Sequence, residues 1–189
     1  MSALCLLADV KTYLGITVTT TDAVLSSLIT NVSAVIESYC NRTFAQATYN
    51  DTRNGTGSDR MFLANGPVTA VASVTIDGIA ITAAPDAITA GYVFDDSLVY
   101  LRPGGFYPSR FNKGVQNCTI VYTAGYATIP ADVAQVCIEI VAFHFAKRDR
   151  VDKASETLGT SQTISFSQAD MPAGAKLALK QRVFWSTPS

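Results

Sequence analysis

The stretch 121–149, VYTAGYATIPADVAQVCIEIVAFHFAKRD, contains the transition on which the fold depends. Its first residues alternate like a β-strand, an Ala-Gly-Tyr segment follows, and Pro130 precedes an apolar helical pattern. Pro130 removes no helical hydrogen bond there, because the first N–H groups of a helix have no partner within it. Lys147 and Arg148 come late in the pattern, where the helix dipole favours cations. The stretch therefore predicts a strand followed by a long helix over 131–151.

Two further helices are predicted near the N-terminus, over 8–15 and 21–41. The shorter pattern ends at Gly15, a residue suited to the left-handed backbone that often follows a helix. In the longer pattern, which Asn41 and Arg42 end, the apolar spacing alternates between three and four and so forms one stripe. The stripe comprises Val24, Leu25, Leu28, Ile29, Val32, Val35, Ile36 and Tyr39.

Between the helices, residues 43–123 have the composition of β-strands and turns, and four or five strands are predicted. The clearest pair lies at 71–76 and 79–81. Between them Asp77-Gly78 is the signal of a two-residue hairpin turn, since both positions must adopt positive φ. This region is therefore predicted to be an antiparallel β insertion.

The remaining predictions for the β region are two strands and one loop. One strand is expected over 92–101 with a bend at Asp95-Asp96, and a last strand alternates over 118–122. Gly55 and Gly57 are interpreted as a hairpin loop, because the segment lacks the Lys-Ser/Thr of a phosphate-binding loop.

The order of these elements predicts an α+β fold, in which a helical core carries the β insertion and an extended C-terminal tail follows. The folded domain is assigned to 1–155 and the tail to 156–189. Within the tail, 155–162 is polar, 163–167 is an isolated strand candidate, and 173–183 could form a short helix.

Composition limits the possible functions. Charged residues make up 15% of the 189 residues, against a usual share of about 25%. The net charge of -1 disfavours free-standing nucleic-acid binding. No apolar run reaches the roughly 20 residues of a membrane span, and the N-terminus lacks a signal-peptide pattern. Cys40 and Cys137 fall inside apolar helical patterns, so we expect buried free thiols and folding in the cytosol, with two disulfides among the four cysteines as the alternative.

No pattern indicates catalysis. His144 is the only histidine and lies on an apolar helical face, so a packing role is favoured over that of a catalytic base. Metal ligands do not converge in the sequence, and we expect no catalytic residue, cofactor or metal. A small enzyme remains the alternative class, because paired carboxylates brought together by the fold are invisible in a sequence.

The longest loop of the β region, 102–117, is a candidate contact surface because aromatic residues on exposed loops often mark interfaces. The candidate residues are Phe106, Tyr107, Arg110 and Phe111. The alternative, equally open, is a loop that folds back on its own core.

Two blocks resemble the head–tail connector (adaptor, or head-completion) family of long-tailed bacteriophages. One is LADVKTYLGIT with TDAVLSSLITNVSAVIESYCNRTF, at 7–17 and 21–44; the other is the 121–149 stretch. The resemblance implies a virion protein at the head–tail junction, assembled in the host bacterial cytoplasm as a ring, commonly of twelve copies. Such a ring sits beneath the portal, passes double-stranded DNA without sequence-specific binding, and contacts the next neck or tail protein. Another neck or tail-completion protein is the nearest alternative.

The resemblance also implies that the C-terminal segment docks onto the portal protein. That role would fall on an added strand and on a terminal helix or aromatic anchor. The candidate portal-docking residues are Ile164, Phe166, Leu177, Phe184 and Trp185. The alternative is an ordinary terminal segment folded on its own core.

Overall fold

The structure is a computed structural model that describes residues 2–86, 88–105, 107–148, 155–158, 162–165 and 171–183. It is an α+β protein with antiparallel sheets, as predicted. The chain divides into two compact units: a helical unit, Met1–Asn41 with Ile129–Val183, and a β unit whose described part is Arg42–Thr128. The helices are α1 (Leu7–Leu14), α2 (Asp22–Cys40), α3 (Ala131–Lys147) and α4 (Ala173–Lys180). The strands are β1 (Ala47–Gly55), β2 (Arg60–Phe62), β3 (Val68–Ile76), β4 (Ile79–Ile81), β5 (Gly91–Phe94), β6 (Leu98–Arg102), β7 (Gly114–Ala124), β8 (Ser155–Leu158) and β9 (Gln162–Ser165).

In the helical unit α3 packs against α1, α2 and α4. Most of its buried residues recur at spacings of three and four, and Ile138 and Ala142 widen the buried face, as expected for a helix with three packed neighbours. Burying one such aliphatic side chain stabilises the unit by about 1.5–3 kcal/mol. The helical core comprises Leu4, Val10, Leu25, Ile29, Val32, Ile36, Val133, Val136, Cys137, Ile140, Val141, Ala175 and Leu179.

Polar contacts fix the ends of these helices. Lys11 Nζ donates to Asp22 Oδ1 at 2.7 Å, which joins α1 to the start of α2. Arg182, just beyond α4, donates from Nε and Nη2 to Asp132 Oδ2, both at 2.9 Å. The second pair ties the end of α4 to the first turn of α3, where the helix dipole also favours the Asp132 carboxylate.

The predicted helix ends agree with the structure to within a few residues. Gly15 and Asn41 both adopt the left-handed conformation after their helices, with φ of 67° and 50°. The third helix was predicted to continue to residue 151. It is described as an α-helix to Lys147, and residues 149–151 lie outside the described part.

The C-terminal segment differs from the predicted extended tail. The strand expected at 163–167 appears as β9, while 166 and 167 lie outside the described residues. β9 belongs to neither of the larger sheets, as predicted, but β8, which was not predicted, pairs with it in antiparallel register. The predicted helix is α4. It packs on the helical unit because Ala175 and Leu179, four residues apart, form one buried face. The predicted boundary at residue 155 therefore does not separate the folded domain from an unpacked tail.

The β unit contains a four-stranded sheet in the order β1-β7-β3-β4 and a three-stranded sheet in the order β2-β6-β5. β7 is central in the first sheet, and its buried residues alternate from Cys118 to Ala124, as its sequence predicted. Both sheets contribute to one core. Its fully buried tyrosine, Tyr122, donates to Asp51 Oδ2 at 2.9 Å, and burial raises the pKa of Tyr122 to about 12.

The pairing of β1 with β7 brings the two ends of the β unit together. The register begins at Ala47 opposite Ala124, and Tyr126 N–H donates to Phe44 O at 2.8 Å. Gly125 has a φ of +102°, and a Cβ there would lie 2.6 Å from Ala45 O. Glycine is therefore required at this position by both its backbone conformation and the closeness of the neighbouring chain.

The Asp77-Gly78 turn is confirmed, with φ of 52° and 80° at its two central residues. The single bent strand predicted over 92–101 is wrong, because β5 and β6 form an antiparallel hairpin there. The Asp95 carboxylate makes the turn by accepting hydrogen bonds from the N–H groups of Ser97 and Leu98 at 3.0 and 2.9 Å.

Two further β predictions need correction. The Gly55–Gly57 segment is not a hairpin loop, because β1 and β2, which it connects, belong to different sheets. The strand count of four or five was too low, since the described β unit has seven strands. The strand predicted at 79–81 is β4, whereas β2, which is also only three residues long, was not predicted.

A polar network fixes the 112–117 end of the long loop. Asp77 accepts from the side-chain amides of Asn112 and Asn117 at 2.9 and 2.8 Å. Asn117 in turn accepts from Gly55 N–H at 2.8 Å. These two amide hydrogen bonds hold the pKa of Asp77 below its ordinary value, that from Asn117 being the stronger cause.

Gly55→Ala should destabilise the β unit by about 2 kcal/mol or more, because the new Cβ would lie 1.7 Å from Asn112 O and force the backbone apart. Urea unfolding monitored by circular dichroism measures this loss. Gly78→Ala is the matched control: its Cβ meets no atom within 4 Å, so only the positive φ costs energy, about 1 kcal/mol. Equal losses in the two variants would contradict the steric explanation.

Asp77→Asn should make the free energy of unfolding less dependent on acid pH. The folded pKa of Asp77 is lowered, so the unfolded chain binds more protons between the two pKa values. The stabilisation is therefore present above the ordinary pKa of about 3.9 and is lost as pH falls through the folded value. Urea unfolding at pH 6 and near pH 2 should show the wild-type advantage only at pH 6. Asp96→Asn, which leaves the network intact, is the control, and an advantage that persists near pH 2 would contradict the assignment.

Candidate functional site

The described residues offer no constellation for catalysis by a metal. Within 2–86, 88–105, 107–148 and the shorter C-terminal segments, no group of three or more His, Cys, Asp or Glu side chains could hold a metal ion. His144 is half-buried on α3, and its ring meets the Phe143 ring edge-on with centroids 5.8 Å apart. Lys147 Nζ lies 4.3 Å from the centroid of the same Phe143 ring. His144 therefore belongs to an aromatic and cationic cluster at the end of α3.

An open cleft of about 470 Å³ lies in the β unit, lined by Ser58, Asp59, Leu101, Pro103, Ser109 and Arg110. Asp59 forms an ion pair with Arg60 at 3.9 Å, and both side chains are exposed. The lining provides neither a histidine nor a cysteine to activate a nucleophile. Among its described lining residues the cleft therefore has no Ser–His or Cys–His pair.

The long loop, 102–117, contains one candidate residue that is in the core and two that are accessible. Phe111 is fully buried, so its predicted role in an exposed contact surface is wrong: it fills the core between the sheets. Tyr107 is half-buried and accepts a hydrogen bond from Thr82 Oγ1 at 3.0 Å. Arg110 is exposed and donates to Gly57 O at 3.4 Å. Phe106 lies outside the described residues.

The C-terminal candidates are also divided by the structure. Leu177 is 67% exposed on α4, on the side away from buried Ala175 and Leu179. Ile164 lies in β9, of which only the backbone is described. Phe166, Phe184 and Trp185 lie outside the described residues. Leu177 is therefore the described candidate side chain available to a partner.

A second apolar surface, which was not predicted from the sequence, lies on α2. Val24, Leu28, Val35 and Tyr39 recur at spacings of four, seven and four, so they share one face of the helix. Val24 and Val35 are exposed, Val35 at 54%, while Leu28 and Tyr39 are half-buried. We call these four residues the α2 flank. Its sequence signal was the width of the apolar stripe, which exceeds the face that α2 buries against α1, α3 and α4.

The flank also explains why α2 is so apolar. By length and composition α2 could cross a membrane, a property shared by core helices of proteins that span none. The buried residues of α2 pack in the helical unit, against α3 in particular. Of its most apolar window, 39% is buried there. Its charged residues, Asp22 and Glu37, both lie off the flank.

Comparisons with known proteins agree with this architecture. Chains of similar fold occur in the neck of an empty gene transfer agent particle computed with C6 symmetry and in the neck of a native particle computed with C12 symmetry. The first is 16% identical, has a TM-score of 0.61, and the match covers 100% of this chain and 95% of that chain. The second is 17% identical, has a TM-score of 0.59, and the match covers 96% and 90%. A chain in the virion of the native particle is 18% identical, with a TM-score of 0.60 and coverage of 96% and 90%.

No curated protein is significantly similar to the chain in sequence. The model of the family described as head completion protein matches residues 3–180. The match begins before α1, passes through the whole β unit and ends at the last residue of α4. It confirms the family that the N-terminal block and the 121–149 stretch indicated. The chain belongs to the head completion protein family.

Proposed function

We propose that this protein is a structural subunit of the phage head–tail junction, which forms a ring beneath the portal, extends the DNA channel and attaches the tail. The observation that carries the proposal is the family match, because it spans both units of the chain. Chains of similar fold in necks with C6 and C12 symmetry support a ring, and the C12 neck supports twelve copies. The protein acts through its surfaces, and no catalytic step is needed.

The α2 flank is the proposed contact between neighbouring subunits of the ring. Its four side chains are apolar or aromatic, and burying them against a neighbour would stabilise the ring through the hydrophobic effect. Asp22 and Glu37 lie off this face, so such burial would desolvate no charge of α2. Arg110 and Tyr107 of the long loop are proposed to supply the polar part of the ring or tail contact.

The C-terminal segment is proposed to bind the portal, with Leu177 as its described anchor. Leu177 is a large apolar side chain, exposed on a helix whose other face is buried in the core, and such a side chain is suited to a hydrophobic groove on a partner. DNA would pass through the ring without base-specific contacts, and the net charge of -1 gives little attraction that would retain it. The virion is then the site of action, after assembly in the host cytoplasm.

Val35→Glu should abolish the ring in particles, because it places a charge in the proposed subunit contact. Particles that lack the wild-type protein are supplied with the variant and reconstructed by electron microscopy. The expected result is full heads without an ordered ring beneath the portal and without attached tails. Wild-type chains found outside the neck would contradict the proposed function itself.

Thr30→Glu is the matched control for the α2 flank. Thr30 is exposed on the same helix but lies on its opposite polar face, where its hydroxyl donates to Ser26 O at 3.0 Å. This variant should assemble like the wild type. Equal loss of the ring in both variants would show that the flank has no special role.

Leu177→Ser should weaken binding to isolated portal rings by at least about tenfold, as expected for losing one apolar anchor. The affinity is measured by light scattering or by binding to portal rings immobilised on a surface. Lys176→Ser is the control, because Lys176 is an exposed long side chain on a different face of α4. A point variant is preferred to removal of the tail, since α4 is part of the helical core. Unchanged affinity of Leu177→Ser would contradict the docking role.

A further inference from the structure

Two cysteines that are distant in sequence meet in the core of the helical unit. Cys5 Sγ donates to Cys137 Sγ at 3.3 Å, across a sequence separation of 132 residues. Cys137 is fully buried on α3, and Cys5, in the segment before α1, is 5% exposed. All four cysteines are free thiols in this structure. This distance is short enough that small movements would bring the two sulfurs into bonding range, about 2.05 Å.

The surroundings hold the pair in place, and each sulfur shifts the pKa of the other. Leu4 N–H donates to Ser33 Oγ at 3.0 Å, which fixes the N-terminal segment on α2, and Ser33 Oγ lies 3.8 Å from Cys137 Sγ. The hydrogen bond from Cys5, helped by Ser33, lowers the pKa of Cys137. The same bond, together with burial, raises the pKa of Cys5. A thiolate is the form that attacks a disulfide, so a lowered pKa favours exchange.

We propose that Cys5 and Cys137 form an intramolecular disulfide when the protein meets a small-molecule disulfide oxidant. One thiolate of the pair attacks a sulfur of the oxidant, which releases one small thiol and leaves a mixed disulfide on the protein. The second cysteine then attacks the protein sulfur of that mixed disulfide and displaces the other small thiol. The protein loses two electrons and two thiol protons, and the oxidant is reduced to two thiols.

The position of the bond gives it a structural consequence. The helical unit is discontinuous in sequence, and Cys5 and Cys137 lie in its two different segments, on either side of the whole β unit. The disulfide would therefore join the two segments covalently. A closed loop of this length restricts the unfolded chain strongly. The protein folds with free thiols in a reducing cytosol and becomes cross-linked once particles reach an oxidising medium.

The test treats the full-length protein with oxidised glutathione, blocks remaining thiols in denaturant, and maps tryptic peptides by mass without reduction. The expected product links the peptide ending at Lys11 to peptide 114–147, and reduction separates them. Because peptide 114–147 also contains Cys118, the Cys118→Ala variant is digested in parallel and should give the same link. Cys5→Ser and Cys137→Ser should each abolish it.

The outcome in the wild type decides the proposal, whether or not the serine variants fold. Four blocked thiols after oxidation, a link through Cys40 or Cys118, or a bond between two chains would each overturn it. Thermal unfolding tests the consequence separately. The oxidised protein should melt roughly 10 °C higher than the reduced protein, as a closed loop of this length implies for a chain of this size. An equal or lower melting temperature of the oxidised protein would overturn the proposed stabilisation by the disulfide.

Discussion

The antiparallel pairing of β1 with β7 is the constraint on which the rest of the chain depends. The helical unit is made of two chain segments, so α2 and α3 can pack only if the chain that leaves α2 at Asn41 returns at Ile129. The register from Ala47 opposite Ala124 brings the ends of the insertion together, and the alternating burial of β7 prevents that register from slipping. The entropy of closing so long an insertion grows only slowly with its length, so the helices meet at little further cost.

Much of this fold could be predicted because its signals are local. Gly15 and Asn41 end helices, and Asp77-Gly78 makes a hairpin, since each position needs a left-handed backbone that these residue types tolerate. The β5–β6 hairpin was missed because apolar residues continue on both sides of Asp95. The turn there depends on one carboxylate that accepts hydrogen bonds from two backbone N–H groups. An Asp-Asp-Ser sequence can make the same hydrogen bonds in a bend that is not a hairpin, so the residues alone do not distinguish the two.

The division between core and surface could not be predicted, because it is a tertiary property. Leu177 and Leu179 lie on one short helix, and only the position of α4 on the helical core decides that the first is exposed and the second buried. Phe111 and Tyr107 pose the same problem in the long loop: both are aromatic, but Phe111 is fully buried in the core of the β unit and Tyr107 is only partly buried against it. Hydrophobicity identifies residues that can be buried and does not identify what buries them.

The apolar pattern of α2 contributes to folding on one side and, in the function proposed above, to assembly on the other. Val35 and Ile36 are neighbours in sequence, yet Ile36 is fully buried and Val35 is half exposed. A helix that needed only to fold could carry charges at Val24 and Val35, as exposed helix positions usually do. Here the charged residues of α2 are confined to Asp22 and Glu37, and the flank remains apolar although Val24 and Val35 are exposed in the described structure. An uncovered apolar face is a liability in a monomer and an advantage in a subunit whose neighbours cover it, which is why we assign the low charge of the whole chain to assembly.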